Sequence, residues 1–337
     1  MGGLIMKTII PLSSLLQSFF TDRLMNQRQA SPHTTASYRD TFRLLLGFAQ
    51  KHLKKSPSQL MLDDLNSPFI GAFLDHIQDH RHNAVRTRNL RLTAIRSFFQ
   101  YTAFQEPIHS ALIQRVLSIP AKRQGRALID FLTYPEIQAL LAAPNNNTWT
   151  GRRDHALLLL AIQTGLRLSE LIHLRRCDTV LGAGAHVRCY GKGRKERCTP
   201  LTKQTVAVLK TWLQERGGSE NDVLFPSTRG TQLSHDGVQY LLAKHVAKAR
   251  EACPSFKKKR VSPHVLRHSA AMELLQSGVD HSVIALWLGH ESPETTQIYL
   301  QADLALKEKA LAKTKPLNVK SGRYRPSDSL LQFLNSL

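Results

Sequence analysis

The sequence predicts a mostly α-helical chain with one small antiparallel β-sheet, divided into a helical first domain and an α+β second domain. Three observations predict it. Apolar residues recur at helical spacing through residues 1–118. A Pro-, Gly- and base-containing stretch without apolar periodicity follows at 119–128. Beyond it, two short strand-like segments sit among further helical stripes. The length of 337 residues fits roughly two domains, and a hydrophobic content of 42% supplies each with a core.

In the first domain, Leu15, Leu16, Phe19, Phe20 and Leu24 form one helical stripe over 13–24. Ser31 caps a second helix with Pro32 at its first position, and Tyr38, Phe42, Leu45, Leu46 and Ala49 line one face. Phe69, Phe73 and Ile77 mark a third. The fourth, over 83–101, turns Leu92, Ile95 and Phe99 inward and carries Arg86, Arg88, Arg91 and Arg96 on the rest. No acid occurs between Asp79 and Glu106, so these guanidiniums lack i,i+4 partners and are expected to contact phosphate. Lys122 and Arg123 place the same chemistry on the linker.

The second domain, expected over 129–314, opens on a capping box from Thr133 to Glu136 with Pro135 in the first turn. A helix over 153–164 ends at Gly165. Segments 185–190 and 195–201 read as strands around the turn Gly191-Lys192-Gly193-Arg194. Helices follow over 202–216 and 235–251, then a basic run at 257–260. Ser262 caps the next helix, which has Pro263 at its first position and ends at Gly278. Short helices begin after Asp280 and after Ser292-Pro293, and a last one spans 302–313. The tail, 315–337, ends in a stripe of Leu330, Leu331, Phe333, Leu334 and Leu337. A lone terminal helix cannot bury such a stripe, so docking on a neighbouring copy is expected, ahead of docking on its own protomer.

Lys plus Arg number 46 and Asp plus Glu 25, a formal net charge of +21. The excess is spread, with 17 basic and 7 acidic side chains in residues 1–126. Such a chain points to a polyanionic partner along both halves, nucleic acid ahead of an anionic membrane surface. No apolar run approaches the ~18 residues of a membrane helix, and Lys7 and Pro11 interrupt any signal core. A cytoplasmic location is expected, and Met6 offers an alternative start that would make residues 1–5 incidental. Cys177, Cys189, Cys198 and Cys253 form no C-x-x-C pair, which argues against a zinc site and a disulfide framework.

Four segments carry chemistry: TGLRLSEL (164–171), YGKGRKER (190–197), SPHVLRHS (262–269) and LGHESPETTQIYL (288–300). Together they resemble the tyrosine recombinase (integrase) family of site-specific DNA recombinases, across the second domain and more loosely across the first. The resemblance places Arg167 in the first arginine segment with Glu170 at the acidic position, and Lys192 in the hairpin turn. His264 and Arg267 form H-x-L-R, His290 follows Arg267 by 23 residues, and Tyr299 follows nine later.

The resemblance implies a helical core-binding (SAM-like) domain followed by a catalytic domain, in the simple two-domain arrangement. It implies double-stranded DNA as partner, dimers on single sites, a homo-tetramer on synapsed sites, and neither metal nor cofactor. It makes Tyr299 the nucleophile, Arg167 and Arg267 the phosphate clamp, Lys192 the general acid, His264 the proton acceptor and His290 a further donor. These residue types suit the chemistry. A tyrosine can store a phosphodiester as a 3′-phosphotyrosyl bond, and planar guanidiniums match and neutralise the phosphorane's oxygens. Glu170 reads as support for Arg167 or His264. His268 reads as a hydrogen-bonding partner; with His264 it makes an i,i+4 pair that lacks a third metal ligand. Arg194 and Lys195 read as strand and phosphate contacts. Tyr190, Tyr240 and Tyr324 lack the L-G-H spacing of Tyr299. The expected task is integration, excision or transposition of a mobile element, with accessory proteins or related recombinases as possible partners. Resolution of chromosome or plasmid dimers, a type IB topoisomerase-like activity and non-catalytic DNA binding are the alternatives.

Overall fold

The computed structural model describes residues 10–125, 129–191 and 196–290, together with Thr296 and Tyr299. Lys192, Arg194, Lys195 and the tail stripe at 330–337 lie outside the described residues. The chain divides into two compact units, Met1–Arg126 and Ala127–Leu337.

The first unit is all-helical. Helix α1 (Leu12–Ser18) runs on as π-helical turns over Phe19–Gln27, and is followed by α2 (Pro32–Leu53), α3 (Ser67–Asp79), α4 (Val85–Gln105) and α5 (Ser110–Leu117). Ser31 caps α2 by accepting from Thr34 N, with Pro32 at the first position, where its missing N–H costs nothing. Phe19 is the hub of the core, meeting Phe98 at 5.5 Å and Phe42 at 6.2 Å between ring centroids, both edge-on. The eight-residue helix α5 was not foreseen; it is short, and buries Ile113 and Val116 with Leu112 and Leu117 packed beside them.

The arginine face of α4 is not one solvated surface. Arg86 is exposed, but Arg88 is buried. Arg91 Nη1 donates to Ser37 O and Thr41 Oγ1 on α2, and Arg96 donates to Ile119 O. The Asn89 amide pairs with the backbone of Lys122, donating to its carbonyl at 2.9 Å and accepting its N–H at 3.1 Å. Lys122 Nζ then reaches Gln78 and Asp75 on α3. Ile119 and Lys122, assigned from sequence to the linker, are thus bonded into the helical unit.

The second unit contains α6 (Tyr134–Ala142), α7 (Trp149–Thr164), α8 (Leu168–His173), β1 (Thr179–Val180), β2 (His186–Tyr190), β3 (Glu196–Pro200), α9 (Lys203–Arg216), α10 (His235–Ala252), α11 (Pro263–Gln276) and α12 (His281–Leu288). The strands form one antiparallel sheet in the order β1-β2-β3, with Cys189 opposite Arg197. Sequence had shown two of the three; β1 has two residues, too short for any periodicity. Helix α7, with eleven of its 16 residues buried, is the core element, and Thr148 caps it one turn earlier than the expected start.

Two buried carboxylates tie this unit together. Glu136 accepts from Thr133 N, Ser255 Oγ and Lys259 Nζ, so Lys259 of the basic run works inside the fold. Asp154 on α7 accepts from the Arg153 fork through one oxygen and faces His245 Nε2 of α10 at 2.8 Å through the other, all three residues buried. Asp154→Ala leaves the buried Arg153 guanidinium without its carboxylate and His245 Nε2 without its Asp154 partner. It should cost roughly 3–5 kcal/mol, read as a lower urea midpoint of unfolding.

Candidate active site

The site is assembled from helix ends. Two helices stop at glycines in the left-handed region: α7 at Gly165 (φ 62°) and α12 at Gly289 (φ 64°). A side chain cannot replace either hydrogen. A Cβ on Gly165 would lie 2.6 Å from Leu288 Cδ2, and one on Gly289 would lie 2.8 Å from Arg197 Nη1. These helix ends present unpaired carbonyls at the negative pole of the helix dipole, which favours cations. Arg267 Nη1 donates to Gly165 O at 2.7 Å and Nη2 to Leu288 O at 2.6 Å. Arg167 Nη2 donates to Gly289 O at 2.7 Å. The two arginines, 100 residues apart in sequence, are thereby held on adjacent carbonyls of one helix end.

Arg267 is only 6% exposed and its hydrogen-bond partners among the described residues are carbonyls. Burial, then the charge of Arg167, pulls its pKa down to about 10. Arg167 stands at the N-cap of α8. Its backbone N–H donates to Glu170 Oε2 at 2.7 Å and Nη1 to Oε1 at 2.9 Å. Glu170 is buried, and burial pushes its pKa up. Hydrogen bonds from Arg197, that residue's charge and the bonds from Arg167 outweigh this and hold it below its ordinary value.

Arg197 escaped the reading of the sequence. It donates Nη1 to Glu170 Oε1 at 2.8 Å and Nη2 to Oε2 at 2.7 Å, a two-pronged carboxylate pair. Its only signal in the sequence is the second basic residue after the hairpin turn. Among the described residues the site therefore gathers three guanidiniums and one carboxylate, a surplus of positive charge beside bonding edges of Arg167 and Arg267 that have no partner there; each of these two guanidiniums makes two bonds from its five N–H groups to described residues.

Tyr299 is 1% exposed, with its hydroxyl 3.0 Å from His268 Nδ1. Its ring stacks near His290, 6.3 Å between centroids at 14°. Burial raises the phenol pKa, against the opposing charge of Arg267. His264, expected from sequence to take the Tyr299 proton, is exposed one turn earlier on α11, its ring centroid 6.4 Å from that of His268. The hydroxyl's partner is thus His268. His290 Nδ1 lies 2.8 Å from Thr296 Oγ1. Assigning Nδ1 as acceptor leaves the ring proton on Nε2. Burial, then neighbouring positive charge, lowers both imidazoles to about 4: His264 and Arg267 act on His268, and Arg267, Arg167 and Arg197 on His290. Both rings are neutral at neutral pH. Of the other tyrosines weighed, Tyr190 and Tyr240 are exposed and Tyr324 lies outside the described residues.

Among the described residues no helix is long and apolar enough to cross a membrane. The profile of the "Phage integrase family" matches residues 130–305, and that of the "Phage integrase, N-terminal SAM-like domain" matches residues 18–106. The chain is 61% identical over 326 residues to y4rC of Sinorhizobium fredii, whose name places it among integrases and recombinases; this spans 97% of the chain and 98% of the relative. It is 31% identical to the tyrosine recombinase XerD of Pseudomonas putida, over 83% of the chain and 90% of XerD. In fold it is similar to the XerH site-specific recombinase bound to palindromic difH substrate, with a TM-score of 0.69 and 23% identity over 88% of the chain and 84% of XerH. The Tn1549 transposon integrase, solved with circular intermediate DNA, gives 0.67 at 14% identity, over 89% of the chain and 99% of that structure.

The depressed histidines have a stability consequence. In the unfolded chain an imidazole takes a proton near its ordinary 6.5, whereas in the fold His268 and His290 resist until about 4. Their contribution to stability is complete above about pH 6.5 and is lost as pH falls toward about 4. Unfolding free energy should decline through that window, and His290→Asn should flatten the slope in urea melts run at successive pH values.

Proposed function

Since the chain belongs to the phage integrase family, the tyrosine recombinases of site-specific recombination, we propose that it cuts and rejoins duplex DNA through a 3′-phosphotyrosyl intermediate on Tyr299. The observation that carries this reading is Arg267, a buried guanidinium whose partners among the described residues are carbonyls, beside Arg167 and a buried tyrosine. A backbone phosphate supplies the anion that this surplus of charge lacks.

In the proposed step Tyr299 Oη attacks phosphorus and the bond to the 5′-oxygen breaks, its electron pair leaving with that oxygen. The phenolic proton passes to neutral His268, the imidazole within hydrogen-bond reach, which leaves exposed His264 and His290 Nε2–H to donate to the phosphate. Lys192 protonates the departing 5′-oxygen. Arg167 and Arg267 hold the non-bridging oxygens and supply the charge stabilisation that a metal ion gives elsewhere. The phosphotyrosyl bond conserves the energy of the broken diester, so attack by a 5′-hydroxyl reverses the step without ATP.

We assign DNA contact to exposed Arg86 and Arg123 and to Arg194 and Lys195 of the hairpin turn. Arg88, Arg91, Arg96 and Lys122 we assign to holding the helical unit together, in keeping with the burial of Arg88 and the internal partners of Arg91, Arg96 and Lys122. The domain boundaries proposed are a DNA-binding domain over 1–118, a linker over 119–128, a catalytic domain over 129–314 and an exchange tail over 315–337, acting in tetramers on paired sites. The setting we favour is movement of a mobile element, since the relative matched over 97% of the chain carries an integrase/recombinase name.

Covalent capture tests the reading. The protein is mixed with fragments of its source genome, denatured in SDS, and the attached DNA sequenced. Wild type should attach at the ends of a mobile element, with EDTA present or absent, and Tyr299→Phe should bind DNA without attaching. Attachment by Tyr299→Phe would remove the nucleophile assignment, loss with EDTA would remove metal independence, and a lone chromosomal or plasmid site would point to dimer resolution. Lys192→Ala should slow cleavage, and a bridging 5′-sulfur leaving group, which needs no proton, should restore most of the rate; no restoration would remove its acid role.

A further inference from the structure

We propose that Arg197 is a positioning residue for Arg167, acting through its two-pronged hold on Glu170. The proposal rests on the recombinase reading above and names a residue that the reading leaves without a role.

Three features of the geometry converge. Each Glu170 oxygen is shared between one Arg167 group and one Arg197 N–H. Oε1 takes Arg167 Nη1 and Arg197 Nη1, and Oε2 takes the Arg167 backbone N–H and Arg197 Nη2. Any rotation of the carboxylate breaks bonds to both arginines, so Arg197 fixes the plane in which Glu170 receives Arg167. Second, the Arg197 guanidinium packs against Gly289, whose carbonyl is the other anchor of Arg167; a Cβ there would sit 3.2 Å from Arg197 Cζ. Arg197 therefore touches both anchors of Arg167. Third, its Nε is buried without a partner and both Nη atoms go to Glu170, so among the described residues it is spent on the carboxylate. Arg197 also lies opposite Cys189 in the antiparallel pairing of β2 and β3, which links the place of β3 to the orientation of Arg167.

The charge balance gives the proposal a pH signature. Glu170 is faced by Arg167 at the start of α8, Arg197 on β3, Arg267 on α11 and the Cys189 thiol on β2, itself pushed up to about 11 by burial. A cavity of about 320 Å³ behind it is lined by His173, Asp178 and Arg188. Burial is the largest influence on the carboxylate and favours its protonated form; Arg197 is the leading opponent. Without Arg197 the carboxylate should take up a proton at higher pH and release Arg167.

The test uses full-length protein and a duplex recovered by the covalent capture above, nicked just beyond the attachment point so that cleavage is irreversible. Single-turnover cleavage and gel-shift affinity are measured between about pH 8 and about pH 6. Arg197→Gln should cleave on the order of 10²-fold more slowly. Its affinity should stay within about twofold of wild type. The ratio of variant to wild-type rate should fall further as pH is lowered, since titrations common to both proteins cancel. In Glu170→Gln/Arg197→Gln there is no carboxylate to protonate, and the ratio to wild type should be flat. Arg197→Lys keeps the charge and loses the fork; it should be slower than wild type, faster than Arg197→Gln, and is the variant to measure if Arg197→Gln melts below the assay temperature. A wild-type rate in either single variant, a flat ratio in Arg197→Gln, or a slope that survives in the double variant overturns the proposal. So does a rate loss matched by an equal loss of affinity, which marks a structural part only. Failure of wild-type protein to attach to any DNA would instead remove the recombinase reading, before Arg197 is reached.

Discussion

A buried guanidinium with no carboxylate partner among the described residues is the constraint on which the second unit turns. Removing a charge from water is costly unless other groups solvate it, and Arg267 is solvated by the ends of two helices. That solution requires α7 and α12 to stop with their last carbonyls aimed at one point. The stop requires left-handed backbone at Gly165 and Gly289, and close packing there leaves no room for a Cβ. The same helix end then holds Arg167 through Gly289 O, so the spacing of the two arginines is set by consecutive carbonyls rather than by their side chains. Trp287 Nε1, donating to Thr164 O, ties α12 to the end of α7 and keeps that arrangement in place.

The second requirement is neutrality nearby without neutralising the clamp. Glu170 meets it by sitting behind Arg167 and taking Arg197 as its principal partner. One carboxylate among three guanidiniums holds the arginines apart in energy yet leaves the site positive. Burial first, and then the field that remains, keeps His268 and His290 unprotonated, so the charge that suits an incoming phosphate helps keep the imidazoles free to accept or donate.

What was legible in the sequence was what lies within one element. The cap at Ser31 and the acidic residue three positions after Arg167 are local patterns, and each names its own partner. The family motifs add residues whose neighbours in sequence mark them. Arg197 was illegible because its partner comes from another element, 27 residues away, and a lone basic residue on a strand has no periodicity. The α4 arginines misled for a related reason. The absence of acids near them was read as the absence of partners, but backbone carbonyls at Ser37 and Ile119 and the Thr41 hydroxyl serve as well, and composition does not reveal those. His264 and His268 differ by one turn of the same helix; burial decides between them, and Tyr299 itself lies against the later turn.

The proposed reaction then has an internal logic of charge. With no phosphate bound, Tyr299 is held as a neutral phenol whose pKa burial raises, and the neighbouring imidazole is a weak base because burial and positive charge depress it. A phosphodiester seated between Arg167 and Arg267 cancels part of that charge. Cancellation weakens the influence of Arg267 that favours a free phenolate, so ionisation of the phenol ahead of attack becomes less favourable. It also removes part of what depresses His268 and His290, so the imidazoles gain basicity when a substrate is present. Proton transfer and bond formation to phosphorus are therefore pushed into the same event: the tyrosine stays inert without DNA, and the arriving phosphate strengthens the base that its own cleavage requires.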